Sequence, residues 1–522
     1  MALSSCNNFS FVNPPLPNQY EVDNFYQNTQ EAALGLYGVY AAVRSAVFGP
    51  DWICATDLMS DDMDNLSSTI SRKALNSLNF DNRNNSISNV WTNLYNVVGT
   101  ANILLDKTSK LYPTKDSIAV TMMRSEAKCI RAWAYLMLVQ LWGDVPLVTD
   151  PIYDFKDPKA KLERSPVSDI YAQILSDLSD ASNLPETPYV YTIPGGDPPI
   201  AYPLTLCRGA VELLKAKVYL LQNDYENCAK AAKYLIDRDG KTFALAADYG
   251  VLFDCARKQD ASRKKEIIWE IEANSIPGYN NSDHREFAPS SKIDQCITTG
   301  YQYFIASTSL FEAFNKQPTD KRMAAMYRIV KNTPCILKYV DCTTSDQNNG
   351  GPNVILLRYA DALLIYAEAL NGLGQTVNAA TYINMVRNRA GLIKTQQIGT
   401  LTITTGDIKT TTTQKAMQDT IIAERRMELA HEFNRLFDLR RTGKIIPSIQ
   451  KYNRDIQRYL AATGGKMTFS CDPAVTGGTG NTISLPVPFV NQIKNENSRM
   501  VLHPIPGIER TLNPNLTQNT GY

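Results

Sequence analysis

The chain has 522 residues, 44% of them hydrophobic, and its 53 Lys and Arg against 52 Asp and Glu leave a formal charge of +1. That length can bury a large core, and the balance of charge argues against a dedicated nucleic-acid binder, which carries a basic excess. No apolar run reaches the ~18 residues that span a bilayer, and three scattered histidines (His284, His431, His503) argue against histidine-based metal or triad chemistry.

Residues 1–19 hold no apolar signal core, yet Leu3-Ser4-Ser5-Cys6 reads like the end of a bacterial lipoprotein signal, with Cys6 as the acylated residue and an Asn- and Pro-rich tether behind it. Residues 20–522 read as a single domain. From 20 to 240 the pattern is helical. Residues 30–46 alternate Ala and Gly with Leu, Tyr and Val, and 87–110 place Trp91, Leu94, Val98, Ala101 and Leu105 at helical spacing. Stretch 122–148 stops at Gly143 and Pro146, and helices over 165–185, 204–224 and 225–240 follow. Small residues at the contacts and short turns predict tetratricopeptide-like pairing, although no strict consensus recurs. Residues 241–304 read as an insertion with one strand-like run, "EIIWEI" (266–271), and many turn formers. Helices return over 305–443, notably 356–374 and 377–392, and residues 444–522 read as irregular. The fold class expected is mostly α: a helix-pair scaffold with long irregular insertions and a few short strands.

The stretch "ERRMELAHEFNRLFDLRRTG" (424–443) carries five arginines and three glutamates at spacings of four, read as one helix. One helical face does not supply the two carboxylates across a cleft that glycoside hydrolysis needs. The charges read as scaffold, with Glu432 and Arg435 paired at i,i+3 and Arg440 and Arg441 favouring the helix C-terminus. Ten cysteines form no CxxC pair, and Cys335 and Cys342 are near enough in sequence for a small disulfide loop.

Taken together, "WTNLYNVVGTAN" (91–102), "LWGDVPLV" (141–148), "EIIWEI", "RYADALLIYAEALN" (358–371), "INMVRNRAGL" (383–392), the arginine-rich stretch and the terminal "PIP…NPNLTQNTGY" resemble the RagB/SusD family of outer-membrane nutrient-binding lipoproteins of Bacteroidota. The resemblance spans nearly the whole chain. It implies a SusD-like helical scaffold, no catalytic activity and no cofactor. It further implies a lipid anchor at Cys6 on the outer face of the outer membrane, and a SusC-like TonB-dependent transporter as partner. The implied ligand is an oligosaccharide. Rival readings keep the fold but bind peptides, or make the chain an intracellular tetratricopeptide scaffold.

A sugar site combines aromatic faces with carboxylate, amide and guanidinium groups. Two stretches qualify. The first is 48–65, with Trp52 and the acidic set Asp57, Asp61, Asp62 and Asp64, backed by Arg83, Asn84 and Asn85. Here Trp52 is either a stacking ring or a core plug. The aspartates either solvate a loop or hold Ca²⁺, for which the EF-hand glycine and glutamate are missing. The second is the insertion, with Tyr279, Asn280, Arg285, Tyr301 and Tyr303.

Overall fold

The computed structural model describes residues 25–522 except 112–116, 154–160, 188–189, 194–199, 204–205, 275–279, 293–295, 297–298, 331–332, 399–400, 409–412, 462–465, 471–472, 477–481, 487–493 and 497–500. Cys6 and Tyr279 lie outside the described residues.

Capping sets where the long helices begin. Asn28 accepts from the Glu31 N–H while Glu31 accepts from Gln27, a reciprocal cap that opens helix Thr29–Val47. Asn84 opens Asn85–Lys107 and Asp224 opens Tyr225–Ile236 in the same manner. The first of these helices packs on Asn85–Lys107, which packs on Ser117–Trp142, which packs on Val167–Asp180. A second series runs from Arg208–Leu221 to Tyr225–Ile236, then Tyr359–Gly372, then Thr376–Arg389 and Gln414–Glu428. These packed neighbours form the expected mostly helical scaffold. Close approach needs small residues: a Cβ on Gly372 would lie 2.4 Å from the Tyr225 ring.

The strands are few and short. Met63–Asn65, Phe304–Ala306, Thr333–Ile336 and Tyr327–Val330 form one antiparallel sheet in that order. Ile267–Ile271 pairs with Val354–Arg358 and buries Trp269 against Trp133. Residues 444–522 are more regular than their composition implied. Ile445–Leu460 is a helix whose Ile445, Ile449, Tyr452 and Ile456 are buried. Pro447 obscured it in the sequence, but a proline in the first turn displaces no helical hydrogen bond.

The arginine-rich stretch is two helices, not one. Gln414–Glu428 ends at Leu429, His431 and Phe433 take positive φ of 61°, and a second helix runs over Arg435–Arg441. The break turns the charges toward different partners. Glu424 pairs with Arg322 (2.7 Å) and Arg387 (3.0 Å), and Glu428 with Arg322 (2.9 Å), Arg358 and Arg389. Glu432 binds Lys338 and Arg358, each at 2.6 Å, so the expected Glu432–Arg435 pair does not form. Arg435 instead grips both oxygens of Asp61 at 2.7 and 2.9 Å. Arg425 bridges Asp361 and Asp438, and Arg441 bridges Glu368 and Asp438. Burial alone would raise the Glu428 carboxyl, but Arg389, Arg358 and Arg322 together hold it well below the usual carboxylate range. Burial pushes the Lys338 ammonium down to about 8 despite Glu432.

Arg435→Ala is expected to cost about 3–5 kcal/mol, because it leaves buried Asp61 with only the Arg426 guanidinium, 3.1 Å away and already shared with Asp62. Urea unfolding of Arg435→Ala beside the double variant Arg435→Ala/Asp61→Ala checks this. The double variant should recover part of the loss.

Candidate ligand-binding face

The stretch 48–65 does not form a solvated loop. Gly49, at φ 106°, and Pro50 open a short helix, Pro50–Ala55, which sinks Trp52, Ile53, Cys54 and Ala55 into the core. Trp52 is 2% exposed and meets Phe433 edge-on at 5.9 Å and Trp133 at 6.3 Å. Its expected role as the stacking ring is therefore corrected: no face of it reaches solvent. The aspartates are corrected likewise. Asp61 takes Arg435, Asp62 takes Arg426 at 2.6 Å, and Asp64 accepts from the Tyr452 hydroxyl at 2.6 Å. Asp57 accepts the Phe433 N–H, and burial pushes its carboxyl up to about 7. The acidic stretch is the counter-charge of the arginine helices, which is why it lies inside.

The insertion builds a different surface. Its centre is the single turn His284–Phe287. The Tyr301 N–H donates to the Arg285 carbonyl and the Tyr303 N–H to the Glu286 carbonyl, both at 2.7 Å, so the two tyrosines hang from this turn. A Cβ on Gly300 would sit 2.4 Å from the Arg285 carbonyl oxygen, so only glycine admits the approach. Between the tyrosines Gln302 takes φ 50°, a left-handed conformation that costs a non-glycine residue of order 1–3 kcal/mol and clusters at functional sites. The result is a stacked pair, Tyr301 on Tyr303, at 5.0 Å and 30°. Tyr301 is 46% exposed. Arg285 lies over Tyr301 at 5.8 Å, and Arg72 lies over Tyr303 at 5.7 Å while pairing with Glu286 at 2.8 Å.

A second loop braces the turn. The His284 ring accepts from the Asp341 N–H at Nδ1 and donates from Nε2 to the Asp346 carbonyl, with Gly350 pressed against it. Asn280 donates to the Asn348 carbonyl, and Arg285 to the Asn348 side chain at 3.0 Å. A disulfide joins Cys296 to Cys342, in place of the Cys335–Cys342 loop suggested by proximity. Cys335 is a buried strand residue whose thiol points at the Phe287 carbonyl, 3.2 Å away.

The two sequence candidates are neighbours in space. Met63–Asn65 pairs with Phe304–Ala306, and the Leu66 N–H donates to the Tyr303 carbonyl. Thr69 and the 85% exposed Ile70 then line an open groove of ≈ 620 Å³ with Arg83, Asn84 and Asn85. Arg83 is exposed and pairs with Asp81; Asn85 is exposed at the start of its helix. Residues 66–72 connect the groove to the tyrosine pair: Leu66 bonds the Tyr303 backbone, Thr69 to Ser71 line the groove, and Arg72 lies over the Tyr303 ring. Arg72, Ile70 and Asn348 belong to this face and were missed. The run "NNGG" (348–351), a turn signal, was the one clue to Asn348. A larger cleft of ≈ 880 Å³, lined by Val98, Ile103, Ile152, Leu512 and Leu516 among others, is mostly apolar.

The geometry defines a class before any comparison: a helix-pair scaffold that presents stacked rings and fork donors, with its carboxylates already paired. Two family models match, described as "SusD family" over residues 315–522 and "Starch-binding associating with outer membrane" over 46–195. SusD-like protein P2 of Formosa agariphila is 25% identical over 461 residues, covering 80% of this chain and 85% of that protein. A SusD homolog of Bacteroides thetaiotaomicron superposes with a TM-score of 0.73 at 20% identity, covering 97% of this chain and 99% of that one. A laminarin-binding SusD-like protein gives 0.68 at 22% identity, covering 95% and 100%. The chain belongs to the SusD/RagB family.

Two outcomes follow from this geometry. Trp52→Ala should destabilise the protein by about 3–5 kcal/mol in chemical unfolding, as large-to-small core changes do. Asp283 accepts from the Gly49 N–H, and burial, aided by Glu286, pushes its carboxyl up to about 7. An unfolded carboxyl ionises near its ordinary value while this one keeps its proton to about 7, so its cost to folding grows as pH rises across that window. Asp283→Asn keeps the acceptor without the charge. Its melting temperature should exceed wild type at pH 8, and the gap should close toward pH 4.

Proposed function

We propose that the protein captures oligosaccharides on the cell surface, at the Tyr301 and Tyr303 face, and passes them to a SusC-like TonB-dependent outer-membrane transporter. The observation that carries this is the stacked tyrosine pair, held at strained Gln302 and ringed by Arg285, Arg72 and Asn348. Ring faces supply apolar area to the CH side of a sugar, and guanidinium and amide groups bond its hydroxyls. The laminarin-binding relative of the same fold supports glycan as the ligand class. Adjoining the pair, the groove along Thr69, Arg83 and Asn85 suits a chain of sugars better than a single one.

Binding without hydrolysis fits the carboxylates. Glu286 is the acid at the pair and is committed to Arg72, whereas glycosidases hold two across the bond they break. The cysteines fit an oxidising, extracytoplasmic setting: Cys296–Cys342 clamps the face, and burial pushes the Cys54 and Cys335 thiols up, which leaves them unreactive. Anchoring by an acylated Cys6 and docking on the transporter extend the family description of association with the outer membrane.

An open face leaves much of the sugar solvated, so the isolated protein should bind with a Kd in the range of about a micromolar to a millimolar. In calorimetry with glycan oligomers, Tyr301→Ala should weaken binding about tenfold or more, about 1.4 kcal/mol. Its melting point should barely move, because an exposed ring adds little to the core. Undiminished binding by Tyr301→Ala, or selective binding of peptides over glycans, would overturn this reading.

A further inference from the structure

We infer that the face selects glycans bearing an anionic group, a carboxylate or a sulfate ester, and that Arg285 is the residue making the selection. The inference rests on the reading of the tyrosine face as the sugar site. Arg285 is ordered before any ligand arrives. Its carbonyl accepts from Tyr301, its guanidinium lies over the Tyr301 ring, and one of its terminal nitrogens donates to Asn348.

Its charge, however, is poorly matched. Glu286 is the only carboxylate within ion-pair distance of Arg285 among the described residues, at 3.8 Å from Nε, too long for a hydrogen bond. That same carboxylate serves Arg72 at 2.8 Å, so one anion is shared by two guanidinium groups. The Nε of Arg285 is buried and has no hydrogen-bond partner.

The other acids facing the turn are occupied. Asp346 accepts from the Asn348 N–H and the Asn349 amide, and Asp341 from Thr343 and the Gly351 N–H. Asp283 accepts from Gly49, and burial keeps its proton to about 7. His284 is buried between the Asp341 N–H and the Asp346 carbonyl, and burial lowers its pKa, which favours the neutral ring. What remains is a fixed cation beside a stacking face, with a planar fork that fits carboxylate or sulfate oxygens in pairs. A formal charge of +1 gives the whole chain little net attraction for anions, so discrimination falls to local groups.

The test compares matched oligosaccharides on wild type, Arg285→Gln, Arg285→Lys and Tyr301→Ala. The probes are oligogalacturonates against their methyl esters, κ-carrageenan oligosaccharides against their desulfated forms, and neutral laminari-oligosaccharides. Wild type should bind the charged member of a pair about tenfold tighter or more, the advantage shrinking as salt rises from about 50 to 500 mM. The two charged series tell carboxylate from sulfate. Arg285→Gln should bring charged and neutral members to equal affinity at an unchanged melting temperature, lowering neutral binding only by the hydroxyl bonds the shorter amide does not replace. Arg285→Lys should retain part of it, and Tyr301→Ala should weaken both members alike. Equal binding of charged and neutral partners by wild type, or a preference that survives Arg285→Gln, overturns the selection and leaves the glycan reading standing. Failure of every probe, neutral and charged, overturns both.

Discussion

Arg358 lies at 1% exposure among Glu266, Glu428 and Glu432, and each of those carboxylates reaches a further cation in Arg389, Arg322 or Lys338. This closed lattice is the constraint on which the remainder depends. A buried ion costs several kcal/mol to desolvate and repays it only where geometry and hydrogen bonds are nearly complete. Such a lattice tolerates one arrangement. It therefore fixes the relative positions of segments hundreds of residues apart: the 57–64 stretch through Arg426 and Arg435, the strand pair 267–271 and 354–358 through Glu266 and Arg358, and helix 359–372 through Arg425 and Asp361. Specificity of assembly is a better account of these pairs than added stability.

The tyrosine face is attached to this frame mainly by backbone, with the Arg72–Glu286 pair beside it. Phe304–Ala306 is held between Met63–Asn65 and Thr333–Ile336, and the Ser307 N–H and hydroxyl both bond the carbonyls of the acidic stretch. Directly before that strand the chain passes tightly against Arg285 at Gly300 and turns left-handed at Gln302. Strain here is sustainable because both ends are clamped, by the strand on one side and by the His284 brace and the disulfide on the other. Rings held in this way have little freedom left to lose on contact with any ligand.

The helices were legible because periodicity, caps and stops are local signals. Thr29–Val47, Asn85–Lys107 and Tyr359–Gly372 fall within a few residues of the expected spans. Trp52 was not legible, since a helix of six residues shows too little of a period to reveal which side is inward. The acidic stretch misled for a different reason: its partners lie more than 360 residues away, and charged side chains without local partners read as solvated. The i,i+3 rule for Glu432 and Arg435 failed because it presumes a continuous helix, which residues 429–434 interrupt. Tyr301, Tyr303 and Arg285 do come together at one turn, because rings and guanidinium groups among turn formers stay near the surface. Arg72 and Asn348 depend on strand pairing and on loop bracing, and sequence spacing carries neither.

Buried charges and exposed tips also divide the demands on the sequence. The lattice requires particular residues at a limited set of inward positions, and small residues such as Gly372 where helices touch. Elsewhere the helices need only a pattern. A TM-score of 0.73 at 20% identity is what that economy produces: most side chains can change while the frame persists. The tips bear no such duty. Tyr301, Arg285, Asn348, Ile70 and Arg83 take no part in the lattice, so exchanging them leaves what holds the frame in place. The frame thus fixes where these loop residues stand while leaving their identities free.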